Sequence, residues 1–217
     1  MPSFSTTLTP QKALIFRITH RDNVTWILRN GLHCQSFGMV DPNFVSIGNP
    51  ELIDRRKQRV VDIAPGGTLA DYVPFYFTPY TPMLYNIKTG YGDIRQRKND
   101  EIVVLVSSLP ALKQNAVRYV FTDRHAYLKA ATFYDDPAQL ATAVDYQLLQ
   151  RRDFERDAER PEKMDRYQAE ALAHNFVPVE AILGIGCYTS TIRDGIESTC
   201  SDLGVDVKVV CRTEWYF

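Results

Sequence analysis

The sequence predicts an α+β domain built on a largely antiparallel, split sheet with flanking helices. Three observations carry that expectation. Strand-like and helix-like segments alternate irregularly, without the regular βαβ repeat that a parallel sheet requires. The 217 residues suffice for one sizeable core and contain no linker or internal repeat, so residues 1–217 are expected to form a single domain. Hydrophobic residues at 45% and charged residues at 24% match an ordinary soluble globular chain.

Residues 13–19, rich in β-formers and placed after Pro10, read as the first strand. His20, Asp22 and Asn23 offer N-caps for a short helix with Val24, Ile27 and Leu28 on one face and Gly31 as its stop. Residues 34–71 are dense in Gly, Pro, Asn and Asp, which predicts a long structured loop of the kind that carries function. Residues 72–78 form a second strand, ended by Pro79 and Pro82. Residues 101–106 are the clearest buried strand, and 117–121 are another. Thr122 and Asp123 are expected to cap a helix reaching about Tyr134, with a further helix over 137–150. After a charged stretch, 168–172 fits either a strand or a surface helix. A strand near 181–184, a helix over 192–203 and a strand over 205–212 complete the chain.

A net charge of −1 hides local bias. Residues 54–59 hold four basic groups against one acid, and 93–98 hold three against one. Such clusters can grip a polyanion, or simply lie in solvated loops. Four cysteines lack C-x-x-C spacing, and no His, Cys, Asp and Glu set has metal-ligand spacing, so no metal is expected. The first residues lack the pattern of a secretory signal, and no apolar run reaches the roughly 18 to 20 residues of a membrane span. The expectation is a cytoplasmic protein with reduced thiols and no membrane partner.

Glu170 is the first candidate for chemistry. If 168–172 is extended, Gln168 and Glu170 share a face: the amide can read an acceptor and the carboxylate can stabilise an oxocarbenium-like charge. Arg17 lies inside an apolar strand, where a charge is costly unless it faces a cleft, a partner or solvent at an edge. His20, just after that strand, suits either a site or a turn cap. The Arg55–Arg56 pair suits bidentate phosphate binding, as in the pyrophosphate of NAD. Neither G-x-G-x-x-G nor a P-loop is present, so a dinucleotide would be held by side chains and aromatics. The aromatics between Tyr72 and Tyr91 read mainly as core, with some free to stack on a nicotinamide, an adenine or an unpaired base. No G-x-S-x-G elbow supplies a nucleophile, and Cys34 beside His33 is adjacent only in sequence.

Four blocks, Ser46–Ile53, Gly66–Pro79, Pro82–Tyr85 and Tyr167–Leu172, resemble the DarT toxins, the DNA ADP-ribosyltransferases of DarT–DarG toxin–antitoxin systems. The resemblance runs in order from about Lys12 to Tyr216 and is closer to the thymidine-modifying branch. It implies an ADP-ribosyltransferase-like split sheet, NAD+ as co-substrate, and sequence-dependent transfer of ADP-ribose to a base, thymidine, of single-stranded DNA. It also implies a DarG-like antitoxin that reverses the modification and holds the toxin. Glu170 matches the family's catalytic Glu, and Arg55 falls at its catalytic Arg, with Arg56 beside it. Arg17, Thr19, His20, Gly48, Leu52, Arg55, Tyr72 and Phe75 form the expected NAD+ set, and Gln168 and Tyr80 face the acceptor. His125 lies in a shared block, Phe121–Ala126, with its role open. From charge rather than resemblance, Arg95, Arg97, Lys98, Arg151, Arg152 and Arg156 are candidates for gripping phosphates. The chain departs from the family's pattern at Pro79–Pro82, where DNA contacts are expected. Two alternatives remain: the same fold acting on protein or RNA, and a non-catalytic single-strand binding module.

Overall fold

The computed structural model describes residues 4–217. In chain order the elements are β1 (Leu14–His20), α1 (Val24–Asn30), β2 (Leu32–His33), α2 (Pro50–Arg56), β3 (Tyr72–Tyr76) and α3 (Pro82–Thr89). Then come β4 (Ile102–Ser108), α4 (Leu109–Gln114), β5 (Tyr119–Thr122), β6 (Phe133–Tyr134), α5 (Leu140–Ala143) and α6 (Tyr146–Arg151). The chain closes with α7 (Lys163–Tyr167), β7 (Glu170–His174), β8 (Phe176–Val177), β9 (Gly184–Cys187), α8 (Ser190–Leu203) and β10 (Lys208–Cys211).

Eight strands form one sheet in the order β10-β9-β4-β1-β3-β7-β5-β6, and β2 pairs with β8 apart from it. Every neighbouring pair in the large sheet is antiparallel except β9 with β10. The sheet is split near its middle. β1 pairs with β4 along its whole length, Leu14↔Ser108 to His20↔Ile102, whereas it meets β3 only at Phe16↔Tyr76. Beyond that point the two strands part, and the backbone groups left unpaired there call for other partners. Arg17 answers one of them by donating from Nη1 to Pro74 O across the gap at 3.0 Å.

The core lies on both sides of the sheet and draws on Ile15, Phe16, Phe75, Leu105, Phe121 and Ile185. Trp215 packs against Gly186, where an added Cβ would collide with the ring. The Tyr216 hydroxyl donates to Ile102 O at 3.0 Å, tying the last residues to β4. All four cysteines are free thiols. Among the described residues, no helix is long and apolar enough to cross a membrane.

The structure departs from the sequence-based elements at several points. Thr122 and Asp123 do not open a helix: the Thr122 hydroxyl donates to Arg124 O and the Asp123 carboxylate accepts from Thr132 N, which folds 123–132 into turns ending at β6. The expected 137–150 helix breaks at Val144 and Asp145, because the Asp145 carboxylate caps a new helix through Leu148 N. Inside the expected 34–71 loop, Asn49 caps α2 by accepting from Leu52 N, with Pro50 in its first turn. Between the two readings of 168–172 the fold divides the segment: Gln168 closes α7 and Glu170 opens β7. The strand expected near 181–184 lies at Gly184–Cys187, and the last strand is shorter than expected.

Candidate active site

Strand alternation decides which side chains of β1 face the split. Arg17 and Thr19 point one way, into a cavity of about 390 Å³, and Phe16, Ile18 and His20 point the other. Trp26 and Ile27 from α1, His33 and Cys34, Met39 and Phe44 of the following loop, Ile53 and Arg56 of α2, and the run Tyr72, Val73 and Pro74 complete its wall. The lining is mostly apolar and includes two guanidinium groups.

Arg17 is the less satisfied of the two. Its Nε is buried and has no partner among the described residues. Burial, and then the nearby charge of Arg56, depress its pKa to about 10. An unmet donor on a desolvated cation seeks an anionic or carbonyl oxygen. Thr19 is buried beside it and accepts from Asn23 Nδ2 at 3.0 Å.

Arg56 links the cavity to Glu170. Its Nη1 and Nη2 donate to Glu170 Oε1 and Oε2 at 2.9 and 2.8 Å, a fork-on-carboxylate pair. Glu170 is only 1% exposed. Its Oε1 also accepts from the Ala126 N–H at 2.9 Å, and its backbone N–H donates to Thr122 Oγ1 at 3.1 Å. The turns after Thr122 therefore form the floor under the carboxylate. Burial alone would raise the Glu170 pKa, but the charge of Arg56 and the hydrogen bonds from Arg56 and the Ala126 N–H outweigh it and hold it below the usual range. Burial likewise opposes the charge on Arg56, and Glu170 overcomes it, so the Arg56 pKa is raised. Oε1 is saturated, while Oε2 receives only Arg56 Nη2 among the described residues and keeps one acceptor position open.

His125 Nδ1 lies 3.4 Å from Glu170 Oε1 and accepts from Tyr127 N at 3.2 Å, which leaves the proton on Nε2. Its pKa is lowered by burial, against the pull of Glu170, so the ring is neutral. Tyr76 faces Glu170 across the β3–β7 register, and burial beside that carboxylate raises its hydroxyl pKa.

Several expected site residues stand elsewhere. Arg55 lies one step round the helix from Arg56, half-exposed and paired with Glu51, so the guanidinium at the carboxylate is Arg56. His20 caps the turn after β1, accepting from Asp22 N, with Nε2 3.6 Å from Glu101, on the face of β1 away from the cavity. Phe75 is buried in the core. Tyr72 lines the cavity, and its hydroxyl donates to Gly66 O at 2.7 Å. Gly48 packs on Ile53, 3.1 Å from where its Cβ would be, and Leu52 donates to the Asn49 cap, both just outside the wall. Gln168 donates to Met164 O within its own helix. Tyr80 packs on Phe217 at 4.0 Å between ring centres, and the Arg152 guanidinium lies 4.9 Å from the Tyr80 ring centre. Arg95 and Arg156 are exposed, while Arg97 pairs with Glu101. Among the described residues, no group of three His, Cys, Asp or Glu could hold a metal ion. The Ala126 N–H and Thr122 hydroxyl were not legible as site groups, since neither residue type carries a signal for that role.

The carboxylate, its paired guanidinium and the cavity beyond them fall within residues 16–217, which match the family described as ssDNA thymidine ADP-ribosyltransferase, DarT. The chain belongs to the DarT family. A DNA ADP-ribosyl transferase from Escherichia coli O127:H6 is 47% identical over 214 residues, spanning 99% of this chain and 98% of the relative. The solved Thermus sp. 2.9 DarT in complex with ADP-ribosylated ssDNA superposes with a TM-score of 0.86 at 32% identity, over 96% of this chain and 98% of that one. The same Thermus DarT in complex with NAD+ gives a TM-score of 0.81 at 31% identity, over 96% and 99%. The DarT fold thus accounts for the split, mostly antiparallel sheet.

Proposed function

We propose that this chain transfers ADP-ribose from NAD+ to thymidine in single-stranded DNA, with Glu170 as the catalytic carboxylate and Arg56 as its partner. The observation that carries the reading is the Arg56–Glu170 pair, whose guanidinium lines a mostly apolar cavity. In transfer, the bond between nicotinamide and ribose C1 breaks and its electrons leave with nicotinamide. Positive charge develops on the ribose, and a thymine ring nitrogen then bonds C1 as its proton is released to solvent. A buried, ionised carboxylate favours that charge strongly because little water screens it. The open position on Glu170 Oε2 suits a ribose hydroxyl, which would orient the sugar.

Arg56, held charged by Glu170, fixes the carboxylate rather than accepting a proton in this arrangement. Arg17, with its unmet Nε, supports binding of the oxygen-rich parts of NAD+, and the apolar wall suits its rings. Thymine exposes its ring nitrogen only when unpaired, which favours single strands. As a toxin this chain would act in the cytoplasm, held and reversed by a DarG-like antitoxin.

Labelled NAD+ incubated with oligonucleotides that contain or lack thymidine tests the proposal. Label is expected only on thymidine-containing single strands. A folded protein that labels none of them, or labels only protein or RNA, overturns it.

A further inference from the structure

The segment between α6 and α7 is pinned at both ends. Arg152 starts it in a left-handed backbone conformation, φ 56°, which is costly for a residue with a side chain. Its guanidinium is engaged within the fold: Nη1 donates to Glu214 O at 3.0 Å and the group lies over Tyr80. At the other end the buried Lys163 donates to Asp153 Oδ1 at 2.8 Å, closing the loop on itself. Between these anchors Glu155, Arg156, Ala158, Glu159 and Arg160 are exposed.

The one large apolar side chain in the loop is Phe154, and it faces a cluster organised by Phe217. Phe217 touches Tyr80 at 4.0 Å, Tyr85 at 5.2 Å and Phe154 at 6.0 Å between ring centres. Its carbonyl accepts from Asn99 Nδ2 at 2.9 Å, which ties the residue to the turn just ahead of β4. Phe154 also packs on Tyr167 at 5.2 Å, and the Tyr167 hydroxyl donates to Tyr80 O at 2.9 Å. Tyr167 stands three residues before Glu170 in the chain. A path of direct contacts therefore runs from Phe217 through Phe154 and Tyr167 to the segment that enters the active site. None of these five rings lines the cavity.

We propose that Phe217 is a positioning residue that holds the 153–162 loop in place for acceptor recognition, without a part in NAD+ binding. This rests on the DNA-transfer reading for its functional arm only. Phe217→Ala should raise KM for a thymidine-containing oligonucleotide about tenfold, the scale of one lost aromatic contact, and leave the NAD+ dissociation constant within about twofold. Tryptic cleavage after Arg156 should quicken by a similar factor with the global thermal midpoint little changed. Phe217→Tyr should restore both. Unchanged cleavage and KM overturn the proposal, as does a parallel loss of NAD+ affinity, kcat and thermal midpoint. If the unaltered protein labels no DNA, the functional reading fails, while the cleavage rate still decides whether Phe217 holds the loop.

Discussion

Arg56 closes on Glu170 with both terminal nitrogens, at 2.9 and 2.8 Å, and the pair stands where the sheet splits between β1 and β3. The guanidinium and carboxylate each overcome the burial that opposes their charge. Neither group is ionised cheaply alone, so each substitution here should affect both.

Exchange of the two neighbouring arginines separates their roles. Arg55→Ala should change transfer by less than about twofold, since it removes only an exposed ion pair. Arg56→Ala should lower transfer about 100-fold or more, by freeing the carboxylate from its orienting fork. Initial rates of DNA labelling decide the matter, and equal losses would refute the assignment.

Glu170→Gln keeps the size of the side chain and removes its charge. Transfer should fall by about 100- to 1000-fold, the range for loss of one preorganised electrostatic group, with NAD+ affinity changed far less. A loss confined to KM for NAD+ would mean that Glu170 binds rather than stabilises the transition state.

Stability should rise with pH through two windows. Glu170 and His125 both have folded pKa values below their ordinary ones, 4.5 and 6.5, so between the two values the unfolded chain binds more protons. The His125 contribution is full above pH 6.5 and is lost as pH falls below it; that of Glu170 is lost only below 4.5. His174 is depressed in the same window by burial and Arg118, so the comparison with His125→Gln isolates one ring. Thermal midpoints measured from pH 7.5 to 5 should fall less steeply in His125→Gln. Identical slopes would show that His125 titrates normally.

Thr122→Val replaces a hydroxyl that accepts from the buried Glu170 N–H and donates to Arg124 O. Leaving that N–H unmet should cost about 1 to 3 kcal/mol. For a chain of this size the thermal midpoint should drop by roughly 2 to 12 °C in calorimetry. No drop would mean that water replaces the hydroxyl.

Gly186→Ala should be among the most damaging single changes. The new Cβ would meet the buried Trp215 ring at 2.3 Å, with the ring already packed against Phe4 and Phe16. A loss of about 3 kcal/mol or more is expected, read as poor soluble yield and an early unfolding midpoint in urea.

Much of the fold was legible along the chain, and so was the family. Apolar runs at 13–19, 72–78 and 101–106 specify strands locally, and their irregular order excludes a parallel α/β plan. Ordered blocks around Ser46, Gly66, Pro82 and Glu170 carried the family, because they are contiguous in the chain. Only the tertiary structure decided which arginine meets Glu170, since adjacent residues on a helix lie about 100° apart and local sequence does not say which one faces the sheet. It also moved His20 and Phe75 off the cavity, through the alternation of β1 and the packing of β3. Thr122 and Asp123, good helix caps by type, were drawn into the floor beneath Glu170 by partners up to 48 residues away in sequence. Contacts of that span depend on where the sheet splits, and the split is a property of pairing between strands rather than of any one of them.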